Sequence, residues 1–384
     1  MPGTGPAPTI FLLAGEVSGD VQAAHLARAI GRLAPHARLF GAGGPRMAEA
    51  GVEILEDTAQ WGIVGYLEAY LRIPLFARRL RVILRRIVDS RPDVLVLVDF
   101  PGFNLRVAGR LSRRIPTVYH FPPMAHGRRG NRAAVLARLP VRVLAPFAFE
   151  FERYRAAGAD VTFVGHPAVD LVHPGVPREE FCRQVGLDPL RPLVALLPGS
   201  RRQEVEALLP VMLRAAEVAA ARLPGVQTSV ALASERLEPH VLGALRSTRV
   251  DAPVVRGRTY DLLAASDAAV VASGTATLEA ALLGVPMVIA YRVSRATEWI
   301  ARRVATLPWI GMPNILAGRY IVPELLQEDC RADRVCEELV GLLTDRERAE
   351  RMRRDMKEAT RALGPPGALH RAAVEVLAAI HARR

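Results

Sequence analysis

Short apolar runs alternate with longer mixed stretches along almost the whole chain. Thr9–Ala14, Asp93–Val98, Thr117–Phe121, Arg142–Ala145 and Val161–Val164 read as strands, and Leu39–Gly41 adds a shorter one. Asp93–Val98 (DVLVLV) is nearly continuous in leucine and β-branched residues, the texture of a strand buried on both faces of a parallel sheet. Helix-length segments separate these runs, as parallel pairing requires. From Gly165 to Pro192 the alternation lapses; this stretch is rich in proline and poor in apolar runs, which is linker composition. It resumes with Leu193–Leu197, Thr228–Ala233, Val254-Val255, Ala268–Ala272 and Pro286–Ala290. The pattern predicts an α/β protein of two doubly wound domains, residues 1–168 and 169–366. A final helix over 367–384, set off by Gly364-Pro365-Pro366-Gly367, is expected to return to the first domain.

The turns after the strands carry the candidate chemistry. Val270–Tyr291 reads strand, Ser273-Gly274-Thr275 turn, helix Thr277–Leu283, Gly284 stop, strand. A turn of small residues opening a helix leaves free N–H groups that, with the helix dipole, attract phosphate. Glu279 can accept two hydrogen bonds from a ribose diol. An ordinary βαβ unit, with Glu279 complementing the dipole, gives the same pattern. A second such turn, Pro198-Gly199-Ser200-Arg201, leads into a helix with Glu204 and Glu206 in its first turns. After the first strand, Gly15-Glu16-Val17-Ser18-Gly19-Asp20 precedes a helix expected from about Val21 to Leu33; it is not the G-x-G-x-x-G of dinucleotide sites. Asp93–Val98 delivers Asp99-Phe100-Pro101-Gly102-Phe103-Asn104 to the sheet end where open α/β proteins bind ligands. Thr117–Phe121 runs into a proline- and arginine-rich turn containing His126. Met312–Gln327 reads as a proline-punctuated loop, and the chain is helical from about Ala332.

A chain of 384 residues, 50% hydrophobic, is too long for one core and apolar enough for two. No apolar run reaches the ~18 residues of a membrane span, and the N-terminus lacks the charged and apolar regions of a secretory signal. Cys182, Cys330 and Cys336 are scattered and odd in number, which points to a reducing, cytoplasmic compartment rather than disulfides or zinc. The net charge of +12 is carried almost wholly by arginine and suits an anionic membrane or a phosphorylated substrate. The arginines do not interleave with aromatics, so no nucleic-acid partner is expected. Trp61–Leu84 combines Val64, Leu67, Leu71 and Leu75 at helical spacing with Arg72, Arg78, Arg79 and Arg81, and Pro74 is expected to split it into two helices. It fits either a helix lying on an anionic membrane or a core-facing helix with a solvated basic face.

Two similar Rossmann-like domains whose strand ends face a central cleft form the GT-B layout of nucleotide-sugar glycosyltransferases and related epimerases. Within that layout, several stretches resemble the lipid-A-disaccharide synthase family, in order and end to end. They are AGEVSGD (Ala14–Asp20), FVGHP (Phe163–Pro167), LLPGSRRQEV (Leu196–Val205), SGTATLEAALLGVPMVIAYR (Ser273–Arg292), TEWIARR (Thr297–Arg303) and PNILAGRYIVPELLQE (Pro313–Glu328). The resemblance implies transfer of 2,3-diacylglucosamine from UDP to the acyl-glucosamine 1-phosphate lipid X. The product is the β-1,6 disaccharide of lipid A, with inversion at the anomeric carbon. It assigns the UDP-sugar to Gly199, Ser200, Arg201, Ser273, Gly274, Thr275, Thr277 and Glu279, with Asn314, Arg319, Glu324 and Gln327 lining the donor side. On that assignment Arg201 would stabilise the departing UDP, and no metal or other cofactor is expected.

The acceptor side, expected around Glu16, Ser18, Gly19, Asp20 and Asn104, departs from the family. Gly102 stands where P-D-F-N usually places an acid, and Phe121–Arg128 (FPPMAHGR) replaces the aromatic S-P-S-V-W-A-W-R stretch. An inverting transfer needs a base near the acceptor 6-hydroxyl. The candidates are Asp99, His120, His126 and Glu16, with Asp99 first because it lies at the strand end. The resemblance also favours Val64, Leu67, Leu71 and Leu75 as membrane contacts, since both substrates are acylated. It implies a peripheral protein on the inner face of the cytoplasmic membrane, in a family that can form homodimers. The departures leave two alternatives, a transferase with a different acceptor and an inactive UDP-sugar-binding paralogue.

Overall fold

The computed structural model describes residues 7–58, 61, 73–123, 132–292 and 308–381. The chain divides into one unit of Met1–Asp170 with Leu363–Arg384 and another of Leu171–Ala362.

The first unit is built on a seven-stranded sheet, β1 (Thr9–Ala14), β2 (Arg38–Gly43), β3 (Glu53–Asp57), β4 (Val94–Val98), β5 (Thr117–His120), β6 (Val141–Ala145) and β7 (Val161–Phe163). The strand order is β3-β2-β1-β4-β5-β6-β7, and every pairing is parallel. Winding reverses between β1, which pairs with β2 on one side, and β4 on the other, so the crevice beyond Ala14 and Val98 is the topological switch point. Alternate residues of the central strands, Phe11, Leu13, Leu95 and Leu97, pack with Tyr119, Phe103, Ile83 and Ile87 in one fully buried cluster. Each large apolar side chain buried there stabilises the fold by about 1.5–3 kcal/mol.

Helix Ile73–Ser90 buries Leu80, Ile83 and Ile87 and exposes Arg78, Arg81, Arg85 and Arg86. Its apolar stripe therefore faces the core and its basic face is solvated. Trp61 is also core, with its ring 5.9 Å from Phe103 and the Arg79 guanidinium 4.6 Å above it. Of the expected membrane contacts Leu75 is exposed, whereas Val64, Leu67 and Leu71 lie outside the described residues.

The C-terminal helix Ala368–His381 belongs to this unit and packs on helix Glu16–Leu33. Asp170 accepts the Gly367 N–H at 2.6 Å, and Arg371 Nε donates to the Val164 carbonyl at 2.9 Å. The division at Asp170/Leu171 also narrows the expected linker. Helices Ala168–Leu171 and Arg178–Val185 occupy that stretch, and Phe181 and Cys182 are buried in the second core. Proline there opens helices instead of preventing them.

The second unit carries β8 (Leu193–Leu197), β9 (Gln227–Leu232), β10 (Val254–Arg256), β11 (Ala268–Ala272), β12 (Met287–Tyr291) and β13 (Glu324–Leu326), in the order β10-β9-β8-β11-β12-β13 and all parallel. Its switch point lies between β8 and β11, where Leu197 stands beside Val271. The stretch expected to be a loop over Met312–Gln327 holds helix Met312–Ala317 and β13. Pro313 sits in the first turn of that helix, where its missing N–H has no intrahelical partner to lose.

Candidate active site

In the first unit, the residues just past β1, β4 and β5 share an uncommon backbone. Glu16, Asp99, Phe100 and Phe121 all have φ between +50° and +67°, a region that costs a non-glycine residue about 1–2 kcal/mol. Strain gathered at the C-terminal ends of neighbouring central strands, beside the switch point, is characteristic of a functional site. The loops are also pressed together, since a Cβ on Gly15 would overlap the Phe100 ring.

Asp99 is half-buried at the end of β4. Burial pushes its carboxyl above the ordinary carboxylate value, opposed by the Phe100 N–H and the Ser18 hydroxyl, which donates at 3.3 Å. Its backbone is fixed from two directions, because its carbonyl accepts from Asn104 Nδ2 at 2.8 Å and from the Tyr119 hydroxyl at 2.9 Å. A carboxyl of raised pKa on a rigid mount has what a general base needs.

The other acceptor-side residues separate into groups. Ser18 touches Asp99, and Gly19 packs close to Val98 and the Asp99 Cβ. Glu16, with its left-handed backbone, opens helix Glu16–Leu33, which starts earlier than the expected Val21 because Val17–Asp20 is itself helical. Asn104 is fully buried and spends its amide N–H groups on Val98 and Asp99, so it positions Asp99 and does not face a ligand. Asp20 is likewise structural. It is buried and accepts the N–H groups of Gly44 (2.8 Å), Arg46 (3.0 Å) and Met47 (3.1 Å), capping helix Pro45–Glu49.

His120 fits poorly as a base. It is fully buried beside Phe121, with ring centroids 4.8 Å apart, and burial, with His166 nearby, lowers its pKa to about 3. Such an imidazole stays neutral at physiological pH and takes up a proton weakly. His126 lies outside the described residues.

In the second unit, the turn after β8 places Gly199, Ser200 and Arg201 at the start of helix Arg202–Arg222, and the turn after β11 places Ser273 and Gly274 at the start of helix Thr275–Leu282. β8 and β11 are neighbours, so the two helix N-termini open from adjacent strands. Ser200, Arg201, Gly274 and Thr275 are exposed. Glu204 accepts the Ser200 and Arg201 N–H groups at 3.0 and 3.2 Å and the Arg201 guanidinium at 2.9 Å. Thr277 is buried, donates to the Gly274 carbonyl at 2.8 Å and shapes the turn. Glu279 is half-buried; burial pushes its carboxyl up, and the Tyr260 hydroxyl, donating at 3.2 Å, opposes that rise.

The remaining donor-side residues are largely structural. Glu324 accepts the N–H groups of Ile310 (3.0 Å) and Gly311 (2.9 Å), and Ser273 donates to the Ile310 carbonyl at 3.2 Å. Both thus hold the chain that enters helix Met312–Ala317. Asn314 is fully buried, with its amide between Val322, Glu324 and the Ile321 and Val322 N–H groups, so it cannot line an open surface. Gln327 has φ +51°, and its N–H donates to the Tyr291 carbonyl at 2.9 Å. Arg319 turns instead to Asp355 on helix Arg346–Thr360, at 2.8 Å, and is not part of the cluster.

Residues 10–378 match the family model described as lipid-A-disaccharide synthetase. A lipid-A-disaccharide synthase of Geobacter sulfurreducens is 40% identical over 370 residues, covering 96% of each chain. The chain belongs to this family. Among solved structures, a putative UDP-N-acetylglucosamine 2-epimerase of Listeria monocytogenes is similar with a TM-score of 0.61 at 14% identity, covering 98% of this chain and 96% of that one. A calicheamicin glycosyltransferase also gives 0.61, at 19% identity, with 98% and 99% covered. At such identities these likenesses establish the fold alone, and the fold is GT-B.

Some residues of this family member that shape the site gave no local signal. Tyr119 and Tyr260, which fix Asp99 and Glu279, act across 20 and 19 residues of sequence. Tyr291, at the end of β12, lies in the field of both Glu204 and Arg201. A tyrosine ending a buried strand beside two candidate turns is the one signal that could have flagged it.

Proposed function

We propose that this glycosyltransferase forms the lipid A disaccharide by moving 2,3-diacylglucosamine from UDP to lipid X with inversion. The observation that carries the reading is Arg201 and Ser200 at one helix N-terminus beside Ser273–Thr275 at the next, on adjacent strands of the second unit. Two such termini attract the two phosphates of UDP, and Glu279 is suited to the ribose diol. Asp99 takes the proton from the acceptor 6-hydroxyl. O6 then forms its bond to the anomeric carbon opposite the departing group, and the bond from that carbon to the β-phosphate oxygen breaks. UDP leaves with the electron pair, and Arg201 neutralises the developing charge without a metal. Replacing Arg201 by alanine removes that charge and one anchor, and release of UDP in a coupled assay is expected to fall by about 10²–10³-fold. An undiminished rate would sink the assignment.

Acylated substrates place the enzyme peripherally at the cytoplasmic face of the inner membrane. Among the described residues no helix is long and apolar enough to cross a membrane. Loss of liposome binding on Leu67→Ser plus Leu71→Ser supports this reading, and unchanged binding contradicts it. A second reading, the same donor with a different acceptor, is favoured by Gly102 and by the Phe121–Arg128 replacement. Absence of disaccharide from lipid X alongside tight UDP binding would select it.

A further inference from the structure

The donor turn is arranged around a carboxylate of the protein itself. Glu204 Oε2 accepts the N–H groups of Ser200 and Arg201, and Oε1 accepts Arg201 Nη1 at 2.9 Å. These are the donors that the proposed pyrophosphate site would present. Gly199, at φ +108°, makes the arrangement possible, because a Cβ there would lie 2.8 Å from the Glu204 Cβ and 2.5 Å from Oε2. The Arg201 side chain is 66% exposed and that of Glu204 only 17%, so an arriving anion meets a guanidinium already paired from beneath.

We infer that Glu204 is a specificity-determining residue, an internal anion that shields the donor turn from single phosphates and yields to a nucleoside diphosphate. The inference rests on the donor-site reading above. An ion pair at an exposed helix end is weak, so displacing the carboxylate is readily offset. A lone phosphate gains little by the exchange, since it takes donors that were already satisfied by a charged oxygen. A nucleoside diphosphate brings a second phosphate to the helix Thr275–Leu282 terminus and a ribose to Glu279, and these contacts are additional.

The test uses the full chain, titrated calorimetrically with UDP and separately with inorganic phosphate. Glu204→Gln keeps the side-chain length and an oxygen that caps the helix, and removes only the charge. The variant is expected to bind UDP about 1.5–5-fold tighter, the range of a surface charge pair, and to gain more than that for inorganic phosphate. Its preference for UDP over phosphate therefore narrows, and a preference that stays level or widens overturns the inference. Unchanged or weaker UDP binding by a normally folded Glu204→Gln variant overturns the inference and makes Glu204 an orienting partner of Arg201. Failure of the wild type to bind UDP, or binding indifferent to Arg201→Ala, overturns the donor-site reading itself.

Discussion

Replacing Asp99 by asparagine separates a general base from a structural carboxylate, because the two roles predict opposite changes in stability. Burial raises the Asp99 pKa above its ordinary 3.8. A raised folded-state value means that the folded protein binds the proton more tightly than the unfolded chain. The stability this contributes is complete below the unfolded pKa and is lost as pH rises through the folded one. At neutral pH the ionised Asp99 therefore destabilises the first unit, by about 1.4 kcal/mol for each pKa unit of elevation. Asparagine has nearly the same shape, can keep the Ser18 contact and carries no charge. Asp99→Asn is expected to melt higher, by about 2–4 °C per kcal/mol gained in a unit of this size. It also lacks a proton acceptor, and its transfer rate should fall by about 10²–10⁴-fold, or about 3–5 kcal/mol of barrier. Thermal unfolding and initial rates measured on one preparation check both. In the wild type the rate declines as pH falls through the Asp99 pKa. Ser18→Ala removes a hydrogen bond that lowers that pKa, so the acid limb moves to higher pH. His120, at about 3, cannot produce a limb near neutrality. An Asp99→Asn enzyme within tenfold of wild type, or one that melts lower, rules Asp99 out as the base.

Tyr260→Phe removes the hydroxyl that orients Glu279, and UDP affinity is expected to fall about fivefold; an analogue lacking both ribose hydroxyls should bind variant and wild type alike. Asp20→Ala uncaps helix Pro45–Glu49 and should cost about 2–3 kcal/mol in unfolding free energy while UDP affinity holds, which calorimetry on folded protein can read directly. Gly102→Asp restores an acid at the family position. Nothing lies within 4 Å of the added Cβ in the first turn of helix Pro101–Leu111, so the variant should fold and gain up to about 1 kcal/mol by chemical denaturation. A marked loss of stability would mean that the position is not open.

The buried strands were legible because burial on both faces forces unbroken apolar runs, as in Asp93–Val98 and Ala268–Ala272. β3 was not, since Glu53–Asp57 is a partly exposed edge strand whose composition resembles a turn. β13 and helix Met312–Ala317 were hidden by proline, which marks a loop in one context and a helix start in another. The donor turns could be read as local strand–turn–helix units. What each polar residue does there could not be read, because the partners are distant: Asp20 serves a helix beginning at Pro45, Asn104 holds the chain after β4, and Asn314 pins the chain before β13. A motif aspartate or asparagine looks the same in sequence whether it binds a ligand or secures a backbone. The left-handed backbone at Asp99 and Phe100 likewise had no glycine to announce it.

Disaccharide synthesis is tested most directly by incubating the purified protein with UDP-2,3-diacylglucosamine and lipid X and resolving the products by mass spectrometry. The expected product has a mass equal to both lipids joined with loss of UDP, absent when lipid X is omitted and nearly absent with Arg201→Ala. No disaccharide from a folded protein that binds UDP, or equal product from the Arg201→Ala variant, would contradict the proposed mechanism.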